Sequence, residues 1–174
     1  YSYDGIMRSH EMSLQRLGLD RVDILYVHDI GPMLHGADAD RQLRILKKGG
    51  LKALETLRAC GDIMAYGLGV NEIDVCLDCL DYGDPDAFLL AGRYTLLENY
   101  AAKPLLSRCL ERNVSIVIGG VFNSGILATG AVDGARYNYD VASPEIMGKV
   151  QSFEKICREH GVPARQADDG AEAW

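Results

Sequence analysis

The sequence predicts an α/β fold, a parallel sheet with helices on its faces. Three observations carry this. Residues 22–28, VDILYVH, form a continuous apolar run rich in β-branched and aromatic side chains, the composition of a strand buried on both faces. Such runs then alternate with helical patterns along the chain. The connections between them are short and punctuated by glycine, and no linker or shift of composition divides them. Alternation of this kind implies right-handed crossovers and a parallel sheet, either open or closed into a barrel. Four strands make only half of an eight-stranded barrel, which needs roughly 250 residues.

The elements follow in order. Residues 5–18 place Ile6, Met7, His10, Leu14 and Leu17 at helical spacing, with Gly18 as the stop. The strand 22–28 comes next, then a polar loop over 30–48 carrying Gly31, Pro32, His35 and Gly36. Residues 50–60, GLKALETLRAC, form an amphipathic helix closed by Gly61. MAYGLGVN, 64–71, is a strand ending at Asn71, and 72–83 is a helix stopped by Gly83. DAFLLAGRY, 86–94, is a strand, 103–113 a helix with Pro104 in its first turn, and VSIVIGG, 114–120, a strand. The helix 143–161 takes Ser143 as N-cap, Pro144 as first helical residue and Gly161 as C-cap. After Pro163 the run ARQADDGAEAW has few large apolar residues and reads as a disordered or poorly packed tail.

Composition narrows the function. The chain has 174 residues, 48% of them hydrophobic, and a net charge of −7. A nucleic-acid partner would call for a basic stripe, and none is visible. No apolar run reaches the roughly 20 residues that span a bilayer. Five cysteines do not suggest a disulfide scaffold, and a reducing cytoplasm is the expected setting. The chain begins at Tyr1 and enters a helical pattern at once, which reads as an internal segment of a longer protein.

Polar residues at the carboxyl ends of parallel strands lie where ligands bind. His28 and Asp29 end the first strand, so His28 is a candidate active-site imidazole, with a core-edge histidine bonded to backbone as the plainer alternative. Asn71 could recognise a carboxamide, although an N-cap for the helix at Glu72 is the more economical reading. Arg93 and Tyr94 end the third strand and point at the same rim as His28. In GGVFNSG, Gly119, Gly120 and Gly125 let backbone approach a ligand, and successive N–H groups in such a loop can cradle phosphate; an ordinary glycine turn is the alternative. Cys76 and Cys79 lack the second pair that a zinc site needs, and they read as helix-face packing. No metal site is expected. Asp74, Asp78, Asp81, Asp84 and Asp86 read as a solvated face and loop.

The run SLQRLGLDRVDILYVHD, 13–29, resembles the aldo-keto reductase superfamily, whose helix carries S-L-x-R-L-G-x-D before a strand closing on His. GGLKALETLRACGDIMAYGLGVNE, AGRYTLLE and VIGGVFNSGILA follow in the order expected of that family. YSYDGIMRS, the HDIG…HG loop, AGRYTLL and GGVFNSGIL are similar to the branch that includes L-fucose dehydrogenase, D-threo-aldose 1-dehydrogenase and pyridoxal 4-dehydrogenase. The resemblance covers residues 1–163. It implies a partial (β/α)8 TIM barrel, strands four to seven with their helices, and NADP or NAD bound in extended form.

Residue by residue, the resemblance makes His28 the histidine of a Tyr, Lys, Asp and His catalytic group, where it orients the substrate oxygen. Asn71 matches the carboxamide-binding asparagine. Gly120, Val121, Phe122, Asn123, Ser124 and Gly125, with Gly119 before them, match the segment around the pyrophosphate. The chain departs from the family pattern at Val70, where a serine is usual, at Ala91, where a glutamine is usual, and at Gly119, where an aromatic residue stacks on the nicotinamide. The tetrad Asp, Tyr and Lys have no match in residues 1–174. The implied reaction is oxidation of an aldose of the L-fucose or D-threo type at C1 to a lactone, with pyridoxal as an alternative substrate. A small sugar, aldehyde or alcohol is then the partner. The competing reading is an inactive or interaction product that keeps the fold remnant, and open barrel edges would favour self-association.

Overall fold

The computed structural model describes residues 1–164; the expected tail lies outside them, apart from Ala164. Helix α1 (Tyr3–Leu17) starts where the Ser2 hydroxyl accepts from Gly5 N at 3.2 Å, and it ends at Gly18, whose φ of 66° suits a residue without Cβ. Strand β1 (Ile24–His28) follows. The expected loop over 30–48 is instead mostly helical: α2 (Pro32–His35), a 3-10 turn over Gly36–Asp38, α3 (Ala39–Ile45) and a π segment over Leu46–Gly50 that runs straight into α4 (Leu51–Cys60). Ala39 and Leu46 are buried and Leu43 packs against the core, a helical spacing that the nearby Gly and Pro residues obscure in the sequence. The glycines of the π segment have a steric reason. A Cβ on Gly50 would overlap the Tyr1 carbonyl, and one on Gly49 would sit 3.2 Å from Tyr3 N, so the start of α1 rests on bare backbone.

Next come β2 (Ala65–Val70), α5 (Ile73–Tyr82), β3 (Ala87–Ala91), α6 (Lys103–Arg112) and β4 (Ser115–Gly119). A 3-10 turn at Asn123–Gly125 leads to α7 (Ile126–Thr129), a hairpin of β5 (Arg136–Tyr137) and β6 (Asp140–Val141), and α8 (Pro144–Glu159). Ser143 caps α8, accepting from Ile146 N at 3.3 Å; the C-cap is His160, with Gly161 one step beyond at a φ of 67°. The sheet order is β1-β2-β3-β4, and both the β1–β2 and β2–β3 pairings are parallel. His28 stands opposite Gly69.

Among the described residues β1 has a neighbour on one side only, so the expectation of a strand buried on both faces fails there. Ile24 is 46% exposed and Val27 alone in the strand is buried. Burial on both faces belongs to β2, where Tyr66, Leu68 and Val70 on one face are each 1% exposed and Gly67 and Gly69 on the other are buried as well. A Cβ on Gly67 would overlap the Ala87 carbonyl, so β2 and β3 meet at a distance only glycine allows.

The chain divides into two compact units, one of Tyr1–Leu90 with Pro104–Val117, the other of Ala91–Lys103 with the chain from Ile118 onward. The division falls inside β3 and β4 rather than at a linker. In the first unit the core gathers Leu54, Tyr66, Leu68, Cys76, Phe88 and Leu105. Cys76 and Cys79 lie on the buried face of α5, as helix packing requires, and burial pushes the Cys79 thiol up to about 12. In the second unit Ile126, Leu127, Ala135 and Val150 form the centre, with Leu96, Leu97 and Phe153 against them.

The acidic stretch is not simply solvated. Arg58 from α4 reaches Asp86 at 2.7 Å and Asp84 at 3.2 Å, and Arg108 from α6 pairs with Asp81. Asp86 also accepts from Tyr66 N at 2.9 Å, which ties the turn before β3 to the start of β2. Asp74 and Asp78 remain exposed, as expected of a solvated face.

Candidate active site in two parts

In the first unit the carboxyl end of β1 carries His28, whose side chain is 83% exposed, followed by Asp29 at 28%. Asp29 has a φ of 45°, the left-handed region that Asn, Asp and Gly tolerate best. It still continues the ladder, its N–H donating to Gly69 O at 3.0 Å. Its Oδ2 lies 3.3 Å from His28 Nε2. Beneath this turn sits Tyr1. Its hydroxyl lies 2.9 Å from His28 O, 3.1 Å from Asp29 O and 2.9 Å from His35 Nε2. One hydroxyl has one proton, so it donates to a carbonyl while accepting from the imidazole N–H of His35. Burial, and then the Asp29 carboxylate, push the Tyr1 phenol above its ordinary value.

Asn71 follows β2 and is half-buried. It does not cap α5: the N-cap is Glu72, which makes no side-chain cap bond of its own. The Glu72 carboxylate instead accepts from Met33 N at 2.8 Å, in the first turn of α2, and a Cβ on Gly31 would overlap it. Glu72 thus closes the loop after β1 onto the end of β2. Tyr1, His35 and Glu72 are positioning groups that the sequence reading did not single out. The residue after a strand-ending asparagine is a weak signal for Glu72, and Tyr1 had none.

In the second unit Arg93 is engaged by protein. Its side chain is 16% exposed, and Nη1 donates to Gly92 O at 3.1 Å, Glu98 Oε2 at 3.2 Å and Asn138 Oδ1 at 2.9 Å. Tyr94 beside it is exposed. The glycine-rich loop is joined to the same turn. Gly92 N donates to Gly119 O at 2.8 Å, and Asn123 Nδ2 donates to Gly92 O at 3.3 Å. A Cβ on Gly120 would lie 3.2 Å from Gly92 N, so that glycine serves the close approach of two protein segments. Val121 and Phe122 are half-buried, and Phe122 packs against the Ile126 cluster. Ser124 Oγ accepts from Tyr139 N at 3.1 Å, at the tip of the β5–β6 hairpin.

Two features of this loop suit a bound phosphate ester. Asn123 and Ser124 both take left-handed backbone, at φ of 46° and 59°, the curl that turns N–H groups to one side. Gly125 opens on free space, with no atom within 4 Å of an added Cβ. Among the described residues the Oδ1 of Asn123, 3% exposed, has no partner; as an acceptor it could meet a hydroxyl but not phosphate oxygens. Against this, the N–H groups of Asn123 and Gly125 are spent within the loop on Gly120 O and Phe122 O.

Residues 1–167 match the family model described as the aldo/keto reductase family. The chain belongs to the aldo/keto reductase family. Among curated aldo/keto reductase relatives it is 44% identical over 168 residues to a pyridoxal 4-dehydrogenase from Microbacterium luteolum, covering 96% of this chain and 49% of that protein. It is 39% identical over 165 residues to a D-threo-aldose 1-dehydrogenase from a Pseudomonas species, covering 94% of this chain and 47% of that protein. The chain spans about half the length of the curated relatives it matches. Both relatives fall in the branch that the motifs pointed to.

The fold likeness agrees. The aldo-keto reductase AKR11C1 from Bacillus halodurans superposes with a TM-score of 0.64 at 21% identity, over 87% of this chain and 48% of that one. The glycerol dehydrogenase AKR11B4 from Gluconobacter oxydans gives 0.64 at 18%, over 94% and 49%. The sheet β1-β2-β3-β4, parallel from β1 to β3, is with its helices therefore part of a (β/α)8 barrel. No described helix is long and apolar enough to cross a membrane.

Proposed function

We propose that the intact protein is an NAD(P)-dependent dehydrogenase that oxidises an aldose at C1 to a lactone. One observation carries the reading. In an aldo/keto reductase with sugar and pyridoxal dehydrogenase relatives, the exposed imidazole of His28 stands at the carboxyl end of a barrel strand. There it meets the substrate oxygen and orients the reacting carbon. Asn71, at the end of the adjacent strand, holds the nicotinamide carboxamide through its amide, and the loop Gly119–Gly125 receives the pyrophosphate. The nicotinamide supplies the hydride acceptor when bound. Asp29 follows His28 at the same strand end, and Arg93 and Tyr94 follow β3. The five cysteines, all free thiols, suit a reducing cytoplasm.

A pyridoxal substrate is the second reading, favoured by 44% identity to the pyridoxal 4-dehydrogenase against 39% to the aldose dehydrogenase. The test is reduction of NAD⁺ and NADP⁺ by the intact protein with L-fucose, D-arabinose and pyridoxal, followed by absorbance of the reduced nicotinamide. Turnover with either sugar supports the first reading, and turnover with pyridoxal alone supports the second. No rate with any of the three would reject both.

A further inference from the structure

We infer that Asp29 is the positioning residue of His28, rather than a substrate ligand at the rim. The two residues are neighbours in sequence, and in a regular strand neighbours point to opposite faces. Asp29 escapes that rule because its φ of 45° takes it out of the strand conformation at the last rung, while its N–H still holds Gly69 O at 3.0 Å. The turn brings its Oδ2 within 3.3 Å of His28 Nε2. The carboxylate is only 28% exposed and sits against the turn, whereas the imidazole is 83% exposed. The Tyr1 hydroxyl braces the same turn from below through the carbonyls of His28 and Asp29.

The neighbouring titratable groups leave this role to Asp29. Glu72 is engaged by Met33 N, and Tyr1 and His35 engage each other. Among the described residues, Asp29 supplies the carboxylate that lies within ion-pair reach of the His28 ring. A carboxylate beside one ring nitrogen keeps the proton on that nitrogen and fixes the ring's orientation. A proton held on Nε2 by the facing Asp29 carboxylate leaves Nδ1 as the nitrogen that accepts from a substrate hydroxyl. This role deepens the proposed dehydrogenase reading, and only its kinetic consequence depends on that reading.

The test uses the intact protein with Asp29→Asn and Asp29→Gly. Both residues adopt left-handed backbone readily, so the variants remove the charge and leave the turn. The tautomer of His28 is read from its ring-nitrogen NMR shifts, and kcat and KM are measured alongside. We expect the wild type to hold Nε2–H, both variants to shift toward a mixture of tautomers, and kcat to fall by about tenfold or more with KM little changed. An unchanged tautomer in both variants overturns the inference. So does a rise in KM at constant kcat, which would make Asp29 a substrate ligand. If the intact protein turns over no substrate, the dehydrogenase reading fails, and the nitrogen shifts still decide the role of Asp29.

Discussion

Strands β1 and β2 lie side by side in parallel register, yet they live in opposite environments. The sequence ILYVH of β1 is the more apolar-looking of the two, and it is the exposed one. The sequence AYGLGV of β2 has two glycines and is buried almost throughout. Among the described residues β2 has a strand on each side and β1 on one side only. The glycines of β2 mark close backbone approach rather than weakness. The buried strand β2 pairs along the length of β1, with Gly69 opposite His28.

Substitutions in the two strands should therefore separate widely. Gly67→Ala is expected to be the most damaging, since its methyl group overlaps the Ala87 carbonyl on the neighbouring strand. A loss of about 3 kcal/mol or more is expected in denaturant unfolding. Gly69→Ala, whose Cβ would meet only the Tyr26 Cβ at 3.5 Å, should cost less than about 1 kcal/mol. Similar losses at the two positions would show that the strand contact does not decide. Leu68→Ala should cost about 2–5 kcal/mol, against about 1 kcal/mol or less for Ile24→Ala on β1. Equal shifts in the melting temperature of those two variants would break the comparison of buried and edge strands.

Asp86→Ala should come next, at about 1–3 kcal/mol, because it strips an acceptor from Tyr66 N and a partner from Arg58. An Asp86→Asn variant that recovers most of the loss would assign it to the hydrogen bond rather than the charge. The smallest effect on stability is expected from Ile24→Lys. On an exposed edge a lysine should leave the melting temperature nearly unchanged while reducing self-association of the 174-residue chain in size-exclusion chromatography. Unchanged elution of a self-associating sample would place the contact elsewhere.

Buried groups around β2 also set a pH dependence. Burial pushes the Tyr66 phenol from 10.0 up to about 12, with Arg58 opposing it. The Cys79 thiol rises from 9.0 to about 12, again by burial. Both groups stay neutral in the folded chain where the unfolded chain would ionise. Their contribution to stability is complete below the unfolded values and is lost as pH rises from there toward 12. Urea midpoints should accordingly fall from pH 9 upward, and Tyr66→Phe with Cys79→Ala should flatten the decline. A midpoint constant across that range would contradict the assigned burial.

Much of this was legible in the chain itself. Ser2, Gly18, Gly61, Ser143 and Pro144 fix helix ends by local chemistry, and alternation of periods places the strands. The same reading missed α2 and α3, because Gly31, Pro32 and Gly36 signal a loop while the spacing of Ala39, Leu43 and Leu46 signals a helix. It weighed a cap for α5 beside a carboxamide-binding role at Asn71; the cap position belongs to Glu72, which reaches across to Met33. It placed Arg93 at the end of the third strand, and the partners that hold its guanidinium, Glu98 and Asn138, the latter 45 positions away, come only from the tertiary structure.

By itself, then, the sequence determined the order of the four strands and of helices α1, α4, α5, α6 and α8, the family and the strand end at which His28 stands, because caps, periods and motifs are local. Only the tertiary structure decided which strand is buried, which acidic residues are anchored by arginines, and which polar groups hold one another. Those outcomes depend on contacts between residues far apart in the chain, and local pattern carries no record of them.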